Sequence, residues 1–134
     1  METPSPKLGK RILIVDDEPH ILRTLEDLLV AEGYIIYKAS DGKRGLEQAE
    51  SMLPDLIVLD VMMPKMDGFE VLKRLKKSSK TMDIPIIMLT VKSTTQDVEQ
   101  GIRLYAEKYI SKPFNSEFLI QEIEKSLAIR GGER

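Results

Sequence analysis

The chain has 134 residues, with 20 lysines and arginines against 22 aspartates and glutamates, one histidine and no cysteine. That length suits one domain with an ordinary core, and a net charge of −2 supplies no basic field for nucleic acid or an anionic membrane. Without cysteine there is no disulfide, thiolate nucleophile or cysteine-held metal, and His20 alone builds no zinc site of the usual kind. No apolar run reaches membrane-spanning length, and Met1 to Lys10 lack the apolar core of a signal peptide, so a cytoplasmic protein is expected.

In chain order, Pro, Ser and Lys make residues 1–10 a flexible lead-in. Arg11 to Val15 predict a buried strand ending in Asp16-Asp17-Glu18-Pro19, with Pro19 placed as the first residue of a helix. Ile21, Leu22, Leu25, Leu28 and Leu29 stripe that helix, and Gly33 stops it. Tyr34 to Ala39 predict a second strand, Ser40-Asp41-Gly42 a turn, and Leu46, Ala49 and Met52 a second helix closed by Pro54. The run Leu56-Ile57-Val58-Leu59, apolar on both faces, predicts a strand covered on both sides, and it delivers Asp60 to its carboxyl end.

Asp67 then caps a third helix striped by Phe69, Val71, Leu72 and Leu75, whose Lys73, Lys76, Lys77 and Lys80 read as a solvated face. Ile84 to Thr90 predict a fourth strand, residues 94–104 a fourth helix with Val98 and Ile102 inward, and Lys108 to Ser111 a fifth strand. Ser116 is the expected cap of a last helix striped by Leu119, Ile120, Ile123 and Leu127, with Phe118 in the stripe or at its edge.

Five strand–helix alternations without an internal repeat imply an α/β fold, a parallel sheet with helices on both faces joined by right-handed crossovers. The carboxyl ends of parallel strands share one edge, where open α/β sheets hold their ligands. Asp16, Asp17, Asp60, Thr90 and Lys112 each fall at or just past such an end. Singly, each has a plain reading, the acids as turn caps, the Thr as structural and the Lys as solvated; their convergence favours a site.

Clustered carboxylates repel one another, and an oxygen-preferring divalent cation, Mg²⁺ above all, offsets that cost. The turn after the first strand lacks the glycines of a dinucleotide fold, and no GxxxxGK[ST] occurs. A carboxylate beside Mg²⁺ can instead attack phosphorus and form an aspartyl phosphate. The transferring group spreads charge over three oxygens, for which Mg²⁺, the Lys112 ammonium and the Thr90 hydroxyl are the available partners.

Asp-Asp-Glu-Pro at 16–19, Leu-Asp-Val-Met-Met-Pro-Lys-Met-Asp-Gly at 59–68, Leu-Thr at 89–90 and Lys-Pro-Phe at 112–114 resemble the receiver domain of two-component response regulators. The resemblance covers residues 11–130, leaving 131–134 as a tail or the start of a linker to an output domain. It implies a doubly wound five-stranded sheet of order 2-1-3-4-5. It implies that Asp60 is the phosphoacceptor, taking a phosphoryl group from a histidine kinase or a phosphotransfer protein. Asp17, Asp60 and the Met62 backbone carbonyl would bind Mg²⁺ directly, and Asp16 through water. Lys112 would contact the phosphoryl group, Thr90 would swing towards it, Tyr109 would turn inward in response, and the Lys112–Pro113 bond would be cis.

The resemblance places the output face on the fourth predicted helix, the fifth strand and the last helix, for a downstream effector or a homodimer formed on phosphorylation. Such a domain is no enzyme beyond catalysing its own phosphorylation and dephosphorylation. Two positions depart from the family pattern: Val91 follows Thr90 where a small residue is usual, and Tyr105 stands before Ala106 where Gly is usual. Slow phosphodonor entry or hydrolysis is expected from Val91, and Tyr105 is either a partner contact or helix-end packing. An aspartyl-phosphate hydrolase with external substrates would need a carboxylate two residues after Asp60, where Met62 stands. A phosphorylation-independent binding module gains nothing from clustered acids.

Overall fold

The strands β1 (Arg11–Val15) and β3 (Leu56–Asp60) are buried at every position except Arg11, as sequences apolar on both faces require. The computed structural model describes residues 9–90, 106 and 108–130. With β2 (Ile35–Ala39), β4 (Ile86–Thr90) and β5 (Lys108–Ser111), these strands form one parallel sheet of order β2-β1-β3-β4-β5. Among the described residues, four helices cover it: α1 (Pro19–Val30), α2 (Gly42–Met52), α3 (Gly68–Lys77) and α4 (Ser116–Arg130).

The period-2 alternation of each strand sorts the core into two layers. Leu22, Leu25 and Leu29 of α1 and Leu119, Ile123 and Leu127 of α4 pack with Ile12, Ile14 and Val58 on one face. Ala49 of α2 and Val71, Leu72 and Leu75 of α3 pack with Leu13, Val15, Ile57 and Leu59 on the other. Phe118 is exposed, which places it outside the α4 stripe.

Several boundaries differ from the sequence expectation. Tyr34 belongs to the turn that closes α1, its N–H donating to the Leu29 carbonyl at 3.2 Å, so β2 begins one residue later. Pro85 has no N–H for the ladder and contributes only its carbonyl, to the Ile57 N–H at 3.0 Å, so β4 starts at Ile86. Asn115, not Ser116, caps α4: its side-chain oxygen accepts from the Phe118 N–H at 2.9 Å. Gly9 and Lys10 are tied to Gly33 and Ile35 by backbone hydrogen bonds of 3.3 and 2.9 Å, which pulls them out of the lead-in. Lys76 leaves the solvated face, donating to the Ile84 and Met82 carbonyls at 2.8 and 3.1 Å.

The Asp67 cap of α3 is present, its carboxylate accepting from the Glu70 N–H at 3.0 Å. The predicted helix over 94–104, Val91, Tyr105, residues 1–8 and the tail 131–134 lie outside the described residues. No helix of the described residues is long and apolar enough to cross a membrane.

Candidate functional site

Strand register brings the acids together. Val15 of β1 is level with Leu59 of β3, so the next residues, Asp16 and Asp60, stand side by side at the carboxyl edge. Asp17 joins them, and one carboxylate oxygen from each of the three lies within 4.8 Å of the others. Asp16 and Asp60 are only 2% and 3% exposed, so their repulsion is weakly screened by water.

Lys112 follows β5 and is the cation that answers them. Its side chain is 8% exposed, and its Nζ lies 2.8 Å from Asp16 Oδ2, 3.5 Å from Asp60 Oδ1 and 3.8 Å from Glu18 Oε1. The Lys112–Pro113 bond is cis, matching the expectation from resemblance. Burial opposes the Lys112 charge, but the hydrogen bond from Lys112 to Asp16 and the charges of Asp16, Asp60 and Glu18 outweigh it and raise its pKa.

Asp60 responds in the opposite sense to charge. Burial first, then the Asp16 charge, raises its pKa from 3.8 to about 6; Lys112 and the Met62 backbone N–H, which donates to the carboxylate, pull the other way, and Asp17 adds to the rise. Among the described residues, one ammonium thus faces Asp16, Asp60 and Glu18, with Asp17 beside them, which leaves a surplus of negative charge. The donor set is oxygen only, from several carboxylates, which fits Mg²⁺ and excludes a soft-metal site.

Thr90 ends β4, its backbone level with Ser111 beside Lys112; its side chain lies outside the described residues. Tyr109, on β5, is half-buried with its ring stacked on Phe69. Met62 presents an exposed side chain, 46% accessible, beside the acids. His20 is a surface residue, 73% exposed and 3.7 Å from Glu18.

Two participants escape sequence reasoning. Glu18 belongs to the first acidic motif, yet only its position 3.8 Å from Lys112 makes it a member of the site. Gly68 carries the close approach of α3 to the Asp60 backbone: a Cβ there would clash with the Asp60 carbonyl oxygen and sit 2.7 Å from Val61 Cα. Its N–H donates to the Val61 carbonyl at 2.9 Å, fastening the start of α3 to the residue after Asp60.

Residues 12–124 match the family described as response regulator receiver domain. The chain belongs to that family. The receiver domain is 46% identical over 108 residues to the alkaline phosphatase synthesis transcriptional regulatory protein PhoP of Bacillus subtilis, covering 81% of this chain and 44% of that protein. It is 42% identical over 117 residues to the DNA-binding dual master transcriptional regulator RpaA of Synechocystis, covering 87% and 48% respectively. The receiver domain therefore spans about half the length of these curated relatives.

Among solved structures, it is similar to a CheY-like response regulator receiver domain protein from Methanospirillum hungatei, with TM-score 0.88 and 31% identity over 94% of this chain and 99% of that one. It is also similar to the chemotaxis protein CheY4 of Vibrio cholerae, with TM-score 0.84 and 32% identity over 88% and 98%. The receiver domain is a signal-transduction module of two-component systems rather than a conventional enzyme.

Proposed function

We propose that this receiver domain is a phosphorylation-activated switch whose phosphoacceptor is Asp60. The observation that carries the reading is the nearly buried Asp60 carboxylate set among Asp16, Asp17 and Lys112 at the carboxyl edge of the sheet. An Asp60 oxygen attacks the phosphorus of a phosphohistidine on a histidine kinase or phosphotransfer protein. The new O–P bond forms as the P–N bond breaks, the bonding pair leaves with the imidazole, and an aspartyl phosphate results.

Asp17, Asp60 and the Met62 carbonyl would hold Mg²⁺, with Asp16 acting through water, and the ion would supply positive charge to the phosphoryl oxygens. Lys112 is already poised over Asp60 and takes a phosphoryl oxygen. Thr90 donates to another, and Tyr109 turns inward in response. Two hydrogen bonds to a charged phosphoryl contribute roughly 3–6 kcal/mol before costs, against about 5.5 kcal/mol for a nearly complete two-state shift. Hydrolysis of the same bond by water resets the switch, and Val91 slows either phosphodonor entry or this hydrolysis.

The output acts through β5, α4 and the predicted helix over 94–104, on a downstream effector or a second copy of the domain, in the cytoplasm. The curated relatives are transcriptional regulators, so the output controlled by this domain, through an effector partner or an attached output domain, is gene control, with this domain making no nucleic-acid contact itself.

Intact mass after incubation with acetyl phosphate and Mg²⁺ tests the reading. One phosphoryl group on the wild type, none on Asp60→Asn and none with a chelator are expected. A wild type that neither gains mass nor releases phosphate over time would overturn it.

A further inference from the structure

The ring of Phe69 stacks on the ring of Tyr109, with centroids 6.4 Å apart and planes inclined by 20°. These residues come from different elements, α3 and β5, and are forty positions apart in the chain. Phe69 is 8% exposed and belongs to the buried layer on the α2–α3 face, against which the half-buried Tyr109 packs. Phe69 is also the residue after Gly68, whose backbone lies against the Asp60 carbonyl and is hydrogen-bonded to Val61. Contact therefore runs without a break from the Asp60 main chain through Gly68 to the Phe69 ring and on to Tyr109.

We infer that Phe69 is a positioning residue for the Tyr109 ring, holding it in the stacked, half-buried placement and tying that placement to the Asp60 backbone. The inference rests on the reading of Asp60 as phosphoacceptor and of Tyr109 as the responding aromatic. It adds a physical partner for that aromatic on the α3 side of the sheet. Any turn of the ring away from this placement must give up the aromatic contact, so Phe69 sets how readily Tyr109 moves. Contacts of this kind change a two-state equilibrium by roughly two- to tenfold.

Fluorine NMR on protein labelled with 3-fluorotyrosine tests this, the Tyr109 signal being assigned from Tyr109→Phe. Wild type, Phe69→Leu and Phe69→Tyr are compared before and after acetyl phosphate and Mg²⁺, with intact mass recorded on the same samples. In unphosphorylated Phe69→Leu the Tyr109 signal is expected to move towards the position of a solvent-exposed ring. The ratio of its two placements after phosphorylation should change by about two- to tenfold. Phe69→Tyr, which restores a ring, should return both readouts to wild type, and adduct formation should stay within about threefold of wild type throughout.

A Tyr109 signal unchanged by Phe69→Leu in both states would overturn the inference, as would a signal that moves in the unphosphorylated protein while the response to phosphorylation stays wild type. Absence of the adduct on wild type would instead overturn the Asp60 reading, and this inference with it. Mass separates that failure from the other two. A folded two-layer core in Phe69→Leu is verified by an unchanged signal from Tyr34, which lies in the opposite layer, together with a wild-type urea unfolding transition.

Discussion

Among the described residues, buried carboxylates meet lysines in two places, and the charge balance of the two runs in opposite directions. At the carboxyl edge, among the described residues, Lys112 alone faces Asp16, Asp60 and Glu18, with Asp17 adjacent. Between β5 and α4, Glu122 is 5% exposed and has two cations, Lys108 at 3.1 Å and Lys125 at 3.2 Å. Burial first, then the Asp16 charge, raises the pKa of Asp60, whereas the two lysines, through a hydrogen bond from Lys108 first, lower that of Glu122. A carboxylate with its countercharges in place is finished structure; one left short of them favours a cation. The contrast explains why one cluster reads as a site and the other as a fastening between β5 and α4.

The largest effect that could break this comparison is removal of the Lys112 ammonium. Lys112→Met is expected to cost roughly 3 kcal/mol in metal-free protein, because Asp16 and Asp60 are left buried without a countercharge. Urea unfolding in the presence of a chelator at pH 7.5 measures it, and added Mg²⁺ should recover part of the loss. A variant as stable as wild type would mean that Lys112 does not offset the acids.

Asp60→Asn should act with the opposite sign. Its folded-state pKa of about 6 lies above the ordinary 3.8, so ionising Asp60 costs stability. The cost is absent below about pH 4, grows between there and about pH 6, and is complete at higher pH. In metal-free protein the Asn variant is therefore expected to be about 2–3 kcal/mol more stable than wild type at pH 7.5. The two should converge near pH 4, as urea titrations at both values will show. A variant that is less stable at pH 7.5 contradicts a strained Asp60.

Magnesium is expected to give a smaller, concentration-dependent effect. At a tenfold excess over its dissociation constant, it should stabilise the wild type by about 1.4 kcal/mol, with much of this lost in Asp60→Asn. Thermal unfolding across a Mg²⁺ titration checks that; calcium at equal concentration controls for general screening.

The smallest change is expected at the satisfied cluster. Lys108 and Lys125 are 43% and 66% exposed, so solvent screens both pairs, and Glu122→Gln should cost at most about 1 kcal/mol. Because the folded-state pKa of Glu122 is depressed, its contribution is present above the ordinary value of 4.5 and fades as pH falls through the lower folded value. Mg²⁺ should leave the difference between this variant and wild type unchanged.

Much of this was legible in the residue order. Strand–helix alternation implied a parallel sheet, and a parallel sheet puts Asp16, Asp60, Thr90 and Lys112 at one edge whatever their separation in sequence. Local chemistry also spoke clearly at Pro19 and Asp67, where a fixed φ and a capping carboxylate act within one turn. What stayed hidden depends on contacts between distant elements. Gly68 reads as an ordinary loop glycine until α3 is seen against the Asp60 carbonyl. Phe69 reads as core, and only the packed sheet brings it to Tyr109. Glu122 lies beside the apolar stripe of α4, and an acid there reads as surface until Lys108 reaches it. Asn115 and Ser116 are both good caps, and only the hydrogen bond from the Phe118 N–H to Asn115 separates them.

The most direct test of the central claim is to locate the modification. Protein treated with acetyl phosphate and Mg²⁺ would be reduced with borohydride, which converts an aspartyl phosphate to homoserine, then digested and sequenced by tandem mass spectrometry. Homoserine at position 60 alone, absent from samples treated with chelator, is the predicted result. Homoserine at Asp16, Asp17 or another acid with Asp60 intact would contradict the assignment of Asp60 as the phosphoacceptor.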